Sequence, residues 1–332
     1  MTQEHPFAQY VRTLGKGKHG SRALTEDEAY QAMRMILNDE VEPLQLGAFL
    51  MLMRVKEETG PEVAGFIRAV RESVALPAGM PAVDLDWSSY AGKRRRLPWF
   101  ILSALLLAEN GVTVFMHGTT GHTEGRIYTE ETLEALGLPV CQNMEAVARE
   151  LSQRHFAFMP LRALCPKLQE IIEYRPLLGL RSPVHTVGRM TNPLCAPHSF
   201  QSIFHPGYLD IHQEGNLILG QPHMAVLKGE GGEVERNPDM HCEVRVVREG
   251  AAYTEEWPAM FDKRHVNEDE LNVKDLVEVW EGRLAHEYGE AAVIGTTAMA
   301  LKLINKAGSI AEAETQARAL WEARSKSWPT TA

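Results

Sequence analysis

Hydrophobic residues recur at helical spacing along the first 75 positions, and this pattern changes near residue 83. Stripes of Leu, Met and Phe, separated by breaks such as Gly60-Pro61, predict four amphipathic helices. Thr25, followed three residues later by Glu28, has the signature of a capping box at the start of one helix. We therefore predict an all-helical domain over residues 1–75 and a linker rich in Pro and Gly over residues 76–82.

From Val83 onward, short apolar runs alternate with longer amphipathic stretches. This alternation predicts strands followed by helices, and hence a mainly parallel sheet. Two later runs, CEVRVVREG and AAYTEEWPA, predict an antiparallel pair, and three helices are predicted to close the chain. HTVGRMTNP is predicted to be a turn-rich connector. The predicted fold class is α/β, with a small N-terminal all-helical domain and a larger α/β domain over residues 83–332.

The composition is that of an ordinary globular protein, with 44% hydrophobic and 23% charged residues among 332. The net charge of −10 means that any anion-binding surface must be a local patch. The four cysteines form no CxxC pair, so we expect reduced core residues in a cytoplasmic protein rather than a metal site. We find no signal-peptide pattern and no apolar run near the ~20 residues that span a bilayer, so no membrane association is expected.

The stretch VDLDWSSYAGKRRRLPWFI, residues 83–101, predicts a strand, a turn with four consecutive cations, and a helix. The loop between a first strand and its helix is where many α/β proteins bind phosphate through backbone N–H groups. The four cations are Lys93, Arg94, Arg95 and Arg96. They either bind a phosphate backbone or form a solvated loop paired with acids. We favour phosphate binding because the four cations stand in the loop where such proteins bind phosphate. We expect Trp99 and Phe100, which follow this loop, to lie in the core.

Other candidate residues are weaker. GKGKHGSR, residues 15–22, carries Lys16, Lys18 and Arg22 among glycines, and is either a second phosphate-binding loop or a flexible connection. His117-Gly118 ends a strand, where a hydrogen-bonded structural role is expected. Arg54 and Lys56 are expected to serve the end of their helix. The acids Glu230, Glu233 and Glu235 are expected to be solvated, so no metal site is predicted.

Several landmarks resemble glycosyltransferase family 3, the family of anthranilate phosphoribosyltransferase. They are QLGAFLMLMRVKEET, the strand–loop–helix at 83–110, VFMHG, LEALG, RPLLGLR and GRMTNP, in the family's order. The resemblance implies a helical domain above an α/β domain, a cleft between them, and a homodimer packed through the helical domain. In active members it also implies Mg²⁺ and phosphoribosyl diphosphate as ligands.

The catalytic positions depart from that family. Its glycine-rich diphosphate loop falls on residues 88–93, where only Gly92 is a glycine, and its polar NxST segment falls on residues 98–101. Its metal-binding Asp-Glu pair falls on Val234 and Glu235, and valine cannot ligate Mg²⁺. Arg175 and Arg181 are retained. We therefore expect no catalytic residues, no metal and no cofactor.

This pattern is similar to a divergent, YbiB-like branch of the family that binds nucleic acid without evident sequence preference. The similarity implies a homodimer that binds single- or double-stranded nucleic acid through the two basic loops and through Arg126 and Arg189, which would face the cleft. One alternative is a phosphoribosyltransferase, which would use Mg²⁺, phosphoribosyl diphosphate and the residual residues His117, Gly118, Arg175 and Arg181. A structural or regulatory dimer with a protein partner is a third.

Overall fold

The computed structural model describes residues 4–121, 123–268 and 270–329. The strands are β1 (Leu85–Ser89), β2 (Val114–Gly118), β3 (Phe156–Pro160), β4 (His198–Ile203), β5 (His223–Lys228), β6 (Cys242–Arg248) and β7 (Ala251–Trp257). The helices before β3 are α1 (Ala8–Gly15), α2 (Glu26–Leu37), α3 (Pro43–Lys56), α4 (Gly60–Ser73), α5 (Phe100–Glu109), α6 (Thr129–Ala135) and α7 (Met144–Arg154). Those after β3 are α8 (Leu161–Leu164), α9 (Pro166–Glu173), α10 (Arg175–Leu178), α11 (Val184–Met190), α12 (Tyr208–Ile218), α13 (Asp275–Trp280), α14 (Glu287–Leu303) and α15 (Ile310–Ala323).

The predicted N-terminal helices are present. Thr25 and Glu28 form the capping box that begins α2, and a proline stands in the first turn of α3 and of α4. Helices α2 and α4 pack closely because Gly65 has no side chain: a Cβ there would lie 2.1 Å from the carbonyl oxygen of Glu26. These contacts give the N-terminal helices a buried face of their own.

One seven-stranded sheet forms the centre of the α/β part, in the order β3-β2-β1-β4-β5-β6-β7. The first five strands are parallel, while β6 and β7 are antiparallel, as predicted. The chain runs outward from β1 through β2 to β3, then returns to place β4 on the other side of β1. In open α/β sheets, ligands bind beyond the carboxyl ends of the strands at such a reversal of strand order.

Two large hydrophobic clusters lie on opposite faces of this sheet. One is built mainly from α5, α13, α14 and α15. The other joins the N-terminal helices to the second face, where residues such as Phe49 and Phe66 belong to the same cluster as Phe115 and Val187. The helical segment is therefore held against the α/β part by shared apolar core, which fixes the cleft between them.

Several local predictions can now be compared with the structure. Trp99 and Phe100 are buried, as expected. The prediction that HTVGRMTNP is a turn-rich connector is wrong in part, because its residues 185–190 belong to α11, a helix buried on every side. Its apolar and polar residues follow no stripe, so periodicity could not reveal it.

Three cysteines are buried as expected, but Cys195 is exposed. Among the described residues, no helix is both long and apolar enough to span a bilayer.

Candidate anion-binding cleft

Three loops meet at the reversal of strand order: residues 90–99 after β1, 204–207 after β4, and 229–241 after β5. Because the three strands are parallel neighbours, their carboxyl ends lie at one edge of the sheet. The predicted phosphate-binding loop is thus at the expected place in the fold. The contacts within it, however, differ from those expected.

The backbone cradle after β1 is occupied by a carboxylate of the protein itself. Gly92 has φ +68°, which turns the loop so that the N–H groups of Ala91 and Gly92 point the same way. Both donate to Oε1 of Glu233 at 2.6 Å, and the hydroxyl of Ser89 donates to Oε2 at 2.8 Å. Burial raises the pKa of Glu233, while these hydrogen bonds lower it. The donors that an external anion would use are already satisfied.

The first cation of the loop is also satisfied internally. Lys93 is 1% exposed, and its Nζ lies 2.6 Å from Glu235 and 2.9 Å from Glu230. Burial alone would lower the pKa of Lys93, but the two carboxylates more than offset this and raise it, so the ammonium stays charged. The other oxygen of Glu235 accepts the N–H of Phe100 at 2.9 Å. The expectation that Glu233 and Glu235 are solvated is therefore wrong.

Mg²⁺ and a diphosphate do not fit these residues. Glu235 is held by Lys93, Glu233 by three donors, and Val234 is buried and apolar. A magnesium ion needs free oxygen ligands, and a diphosphate needs free N–H donors. Across residues 4–121, 123–268 and 270–329, no group of three or more His, Cys, Asp or Glu side chains is placed to hold a metal ion.

Only two of the four consecutive cations face solvent. Arg96 is 5% exposed: it pairs with Glu268 at 3.1 Å, donates to the carbonyl of His265 at 3.0 Å and lies over the ring of Tyr288. Burial therefore withdraws Lys93 and Arg96 from the predicted phosphate contact. Arg94 and Arg95 are exposed. The hydrogen bond from Arg96 to the carbonyl of His265 joins this loop to the segment that carries a second exposed pair, Lys263 and Arg264, a pair that sequence reasoning missed.

The other basic loop, residues 15–22, makes no polar contact with this site among the described residues. Lys16 and Lys18 are exposed, but Arg22 is held by Glu28, whose oxygens accept its two guanidinium nitrogens at 2.6 and 2.7 Å. Arg22, which was predicted to bind phosphate, is thus engaged in an exposed ion pair with Glu28. Within the part of the chain that the structure describes, no hydrogen bond or ion pair joins residues 15–22 to the loops at the sheet edge.

A cluster of arginines fills the cleft beside these loops. We call it the arginine cluster, and its members are Arg54, Arg126, Arg175, Arg181 and Arg189. Arg175 and Arg181 both donate to the hydroxyl of Thr123 at 3.2 Å. The cluster brings together four residues that the sequence marked and adds Arg54, which donates to the hydroxyl of Tyr208 at 3.2 Å and was expected to serve only its own helix.

Hydrogen bonds hold the remaining members in place. Arg126 donates to the carbonyl of Ala91 at 2.7 Å, and Arg189 to that of His185 at 2.7 Å. Among the described residues, Arg54, Arg126, Arg181 and Arg189 form no ion pair with a carboxylate within 4.0 Å. Each of these four arginines donates to a neutral oxygen, and the carboxylates of Glu58 and Glu233 act on Arg54 and Arg189 only from beyond ion-pair distance.

The arginines lower one another's affinity for the proton. Burial, followed by the charges of Arg175, Arg126 and Arg54, lowers the pKa of Arg181. The pKa of Arg189 is lowered to about 10: burial is the main cause, the charge of Glu233 opposes it, and the charges of Arg181 and Arg126 add to it. Cations gathered in a cleft with low-dielectric walls concentrate positive potential there. The geometry therefore favours binding of anions in an otherwise acidic protein.

Two pockets open onto the arginine cluster. One, of about 400 Å³, is lined by residues that include Arg175, Glu173 and Thr120. The other, of about 100 Å³, is lined by residues that include Arg54, Arg181, Arg189, Phe204 and Tyr208. The residual His117-Gly118 pair does not face either pocket. His117 is fully buried and bonded to Tyr90 at 2.7 Å, with Asp86 at 3.2 Å, so its expected structural role is confirmed.

Comparison with known proteins assigns the family. A profile of the glycosyl transferase family helical bundle domain matches residues 8–74, and one of the family's a/b domain matches residues 101–323. The uncharacterized protein YbiB of Escherichia coli K12 is 30% identical over 251 residues, covering 74% of this chain and 77% of that one. The chain belongs to glycosyltransferase family 3. The anthranilate phosphoribosyltransferase of Burkholderia multivorans, another family member, is 28% identical over 300 residues, 88% of this chain and 87% of that one.

Solved structures of the family share the fold. The crystal structure of anthranilate phosphoribosyltransferase from Thermus thermophilus has a TM-score of 0.76 at 23% identity, covering 96% of this chain and 94% of that one. The enzyme from Saccharomyces cerevisiae in complex with PRPP and Mg has the same TM-score at 15% identity and the same coverage. These family members confirm the predicted fold class, with helices first and a mostly parallel sheet after them.

Proposed function

We propose that this protein binds nucleic acid, single- or double-stranded, through electrostatic contacts to phosphates in the cleft. Phosphate contacts carry little sequence information, so binding is largely independent of sequence. The proposal extends to a homodimer in the cytoplasm, with the exposed pairs Arg94-Arg95 and Lys263-Arg264 beside the arginine cluster as the contact surface. Phosphoribosyl transfer is not part of it.

One observation carries the proposal: the described residues offer no carboxylate ion pair to Arg54, Arg126, Arg181 or Arg189, while Glu233 fills the neighbouring cradle. The site keeps a strong attraction for anions but has no free backbone donors for a diphosphate leaving group. Phosphates along a nucleic acid backbone need cations at intervals rather than a single tight cradle. Replacement of backbone donors by arginine side chains therefore favours a polyanion over phosphoribosyl diphosphate.

The acidic body of the protein bears on how such binding would respond to salt. With a net charge of −10, long-range repulsion opposes an approaching polyanion, and the cleft must overcome it by a focused local field. Salt screens both the repulsion by the acidic body and the attraction by the cleft. The release of counterions from the phosphates nevertheless makes the largest contribution to the salt dependence of the affinity. We expect affinity to fall steeply as salt is raised.

Fluorescence anisotropy tests this function directly. The full-length protein is titrated into a labelled single strand and into a labelled duplex at several salt concentrations. The logarithm of the binding constant should fall linearly with the logarithm of the salt concentration, with a slope of about −0.7 to −0.9 per phosphate contacted. Absence of binding to both probes at low salt would refute the proposal.

A phosphoribosyltransferase with an altered acceptor is the second candidate. It is favoured by the family relatives, by Arg175, which lines the pocket of about 400 Å³, and by Arg181, which donates to the same Thr123 hydroxyl as Arg175. Calorimetric titration with phosphoribosyl diphosphate and Mg²⁺ distinguishes the two functions. We expect no heat of binding at millimolar ligand, because Glu233 already accepts the backbone N–H groups that would bind the diphosphate. Glu235 likewise pairs with Lys93, the cation that would balance the charge of the diphosphate.

A further inference from the structure

The pocket of about 100 Å³ combines one buried and two half-buried arginines with an exposed aromatic ring. It opens where the end of α3 and helix α11 meet the segment between β4 and α12. Arg54, Arg181 and Arg189 line it together with Phe204, which is the most exposed of the four and so marks its edge. Phe204 follows the last residue of β4 directly, so the rigid sheet fixes the position of its backbone.

The interior of the pocket is built for an anion. Arg189 is 8% exposed, and its Nε is buried without a hydrogen-bond partner among the described residues. Glu58 is the one carboxylate lining the described part of the pocket, and its oxygens accept hydroxyls from Thr186 at 2.9 Å and from Tyr208 at 3.4 Å rather than an arginine. Burial raises the pKa of Glu58, which favours its neutral form and weakens its repulsion of an anion.

The edge of the pocket is suited to an aromatic ring. Phe204 is 46% exposed, in contrast to the buried Phe7, Phe49, Phe66, Phe100, Phe115, Phe156, Phe158 and Phe200. Its ring contacts that of His205 edge-on, with 4.8 Å between centroids, which leaves a face of the phenyl ring available. Bases of single-stranded nucleic acid stack on exposed aromatic rings set beside cations.

We propose that the pocket receives one unstacked nucleotide of a single strand, with its phosphate against Arg181 and Arg189 and its base on Phe204. This inference rests on the proposed nucleic-acid-binding function and deepens it. The cavity is large enough for a phosphate group but not for a whole nucleotide, so the base remains at the edge. A duplex presents an unstacked base only at the cost of unpairing it. The ring of Phe204 therefore adds to the affinity for single strands and contributes little to the affinity for duplexes.

The test uses the full-length protein and three forms: wild type, Phe204→Ala and the double variant Arg94→Ala/Arg95→Ala. Each is titrated into a single strand of about 20 nucleotides, longer than the ~4–16 that one binding site covers, and into a duplex of equal length. Loss of one stacked base corresponds to about 1–3 kcal/mol, or roughly 5- to 150-fold in affinity. We expect Phe204→Ala to lose that much for the single strand and to change less than about twofold for the duplex.

The arginine double variant is the matched control, because it removes exposed charge and no ring. It should weaken binding of the single strand and the duplex by similar factors. A single strand carrying 2-aminopurine gives an independent readout: its fluorescence is quenched when the base stacks. We expect quenching by the wild type and by the arginine variant, and its loss with Phe204→Ala.

The outcomes separate the two proposals. If the wild type binds both probes and Phe204→Ala binds the single strand equally well, the stacking inference is wrong and nucleic-acid binding stands. If the wild type binds neither probe, nucleic-acid binding is wrong and the inference falls with it. Because Phe204 is exposed, its truncation should leave the melting temperature of the protein close to that of the wild type, and thermal melting verifies this.

Discussion

The carboxylate of Glu233 accepts the backbone N–H of Gly92 at 2.6 Å, at the point where the order of strands reverses. The sheet topology makes this point the natural place for an anionic ligand. Here the anion belongs to the protein. The loop after β1 is thereby stabilised without a ligand, and the cations that remain available lie at the sides of the cleft.

Removal of this carboxylate should destabilise the protein in a way that small anions repair. Glu233→Ala leaves the N–H groups of Ala91 and Gly92 without a partner, at a cost of about 1–3 kcal/mol for each buried group left unsatisfied, while the hydroxyl of Ser89 keeps its contact with Thr129. Formate or acetate can occupy the vacated space. We expect either anion to raise the melting temperature of Glu233→Ala more than that of the wild type.

Glu233→Gln is the control for this prediction, because it keeps the volume and an acceptor oxygen. It should show a smaller loss of stability and no rescue by formate, since no space is vacated. Equal effects of formate on wild type, Glu233→Ala and Glu233→Gln would show that Glu233 does not occupy an anion site.

The four consecutive cations should divide into two that support stability and two that support binding. Lys93→Met leaves Glu235 buried without its partner, and breaking a buried pair costs about 3–5 kcal/mol. Arg94→Ala/Arg95→Ala should leave the free energy of unfolding within about 0.5 kcal/mol of the wild type. Urea unfolding monitored by circular dichroism measures both.

Binding should show the reverse division. Loss of Arg94 and Arg95 should weaken nucleic-acid binding and make the salt slope shallower by about 1.4–1.8, the contribution of two phosphate contacts. Lys16→Ala/Lys18→Ala removes the same charge from the separate loop and should change the slope less. If the two double variants change it equally, only the net charge matters and the position of Arg94 and Arg95 does not.

Sequence alone located the loop after β1 at the edge of the sheet but not the state of its cations. The alternation of strands and helices placed Lys93 after the first strand, and the structure agrees. Its partner Glu235 lies 142 residues further along the chain, so the pairing depends on how β1 and β5 are arranged in space. Arg54 was assigned to its helix end for the same reason: its contact with Tyr208 spans 154 residues.

Exposed leucine and valine on α3 predict how two copies associate. Leu44 is 86% and Val55 82% exposed, and a separation of 11 residues, close to three helical turns, puts them on one side of the helix. If the proposed homodimer packs through the helical part, Leu44→Glu/Val55→Glu should convert it to a monomer. Light scattering measures the mass. Leu177→Glu, at an 84% exposed position of the α/β part, is the control and should stay dimeric.

Two buried histidines should make stability fall as the solution is acidified. Burial, together with Arg189 and Arg181, lowers the pKa of His185 to about 3, and burial with Arg189 lowers that of His212 to about 3. In the unfolded chain these groups bind protons as pH falls below about 6.5. Between pH 6.5 and 3 the unfolded state therefore binds more protons, and the free energy of unfolding rises with pH.

Each histidine contributes a slope of up to about 1.4 kcal/mol per pH unit in this window, and its contribution is complete above pH 6.5. His212→Gln removes one of these titrating groups. The pH dependence of the variant's free energy of unfolding should therefore be shallower than that of the wild type by up to about 1.4 kcal/mol per pH unit, whatever the absolute stability of the variant. Comparison with the wild type cancels the buried carboxylates Glu58 and Glu233, whose raised pKa values act in the opposite sense above pH 4.5. His19→Gln, at an exposed position, is the control, and its free energy of unfolding should vary with pH as that of the wild type does. If His212→Gln also showed the same pH profile as the wild type, His212 would not be held neutral by the fold.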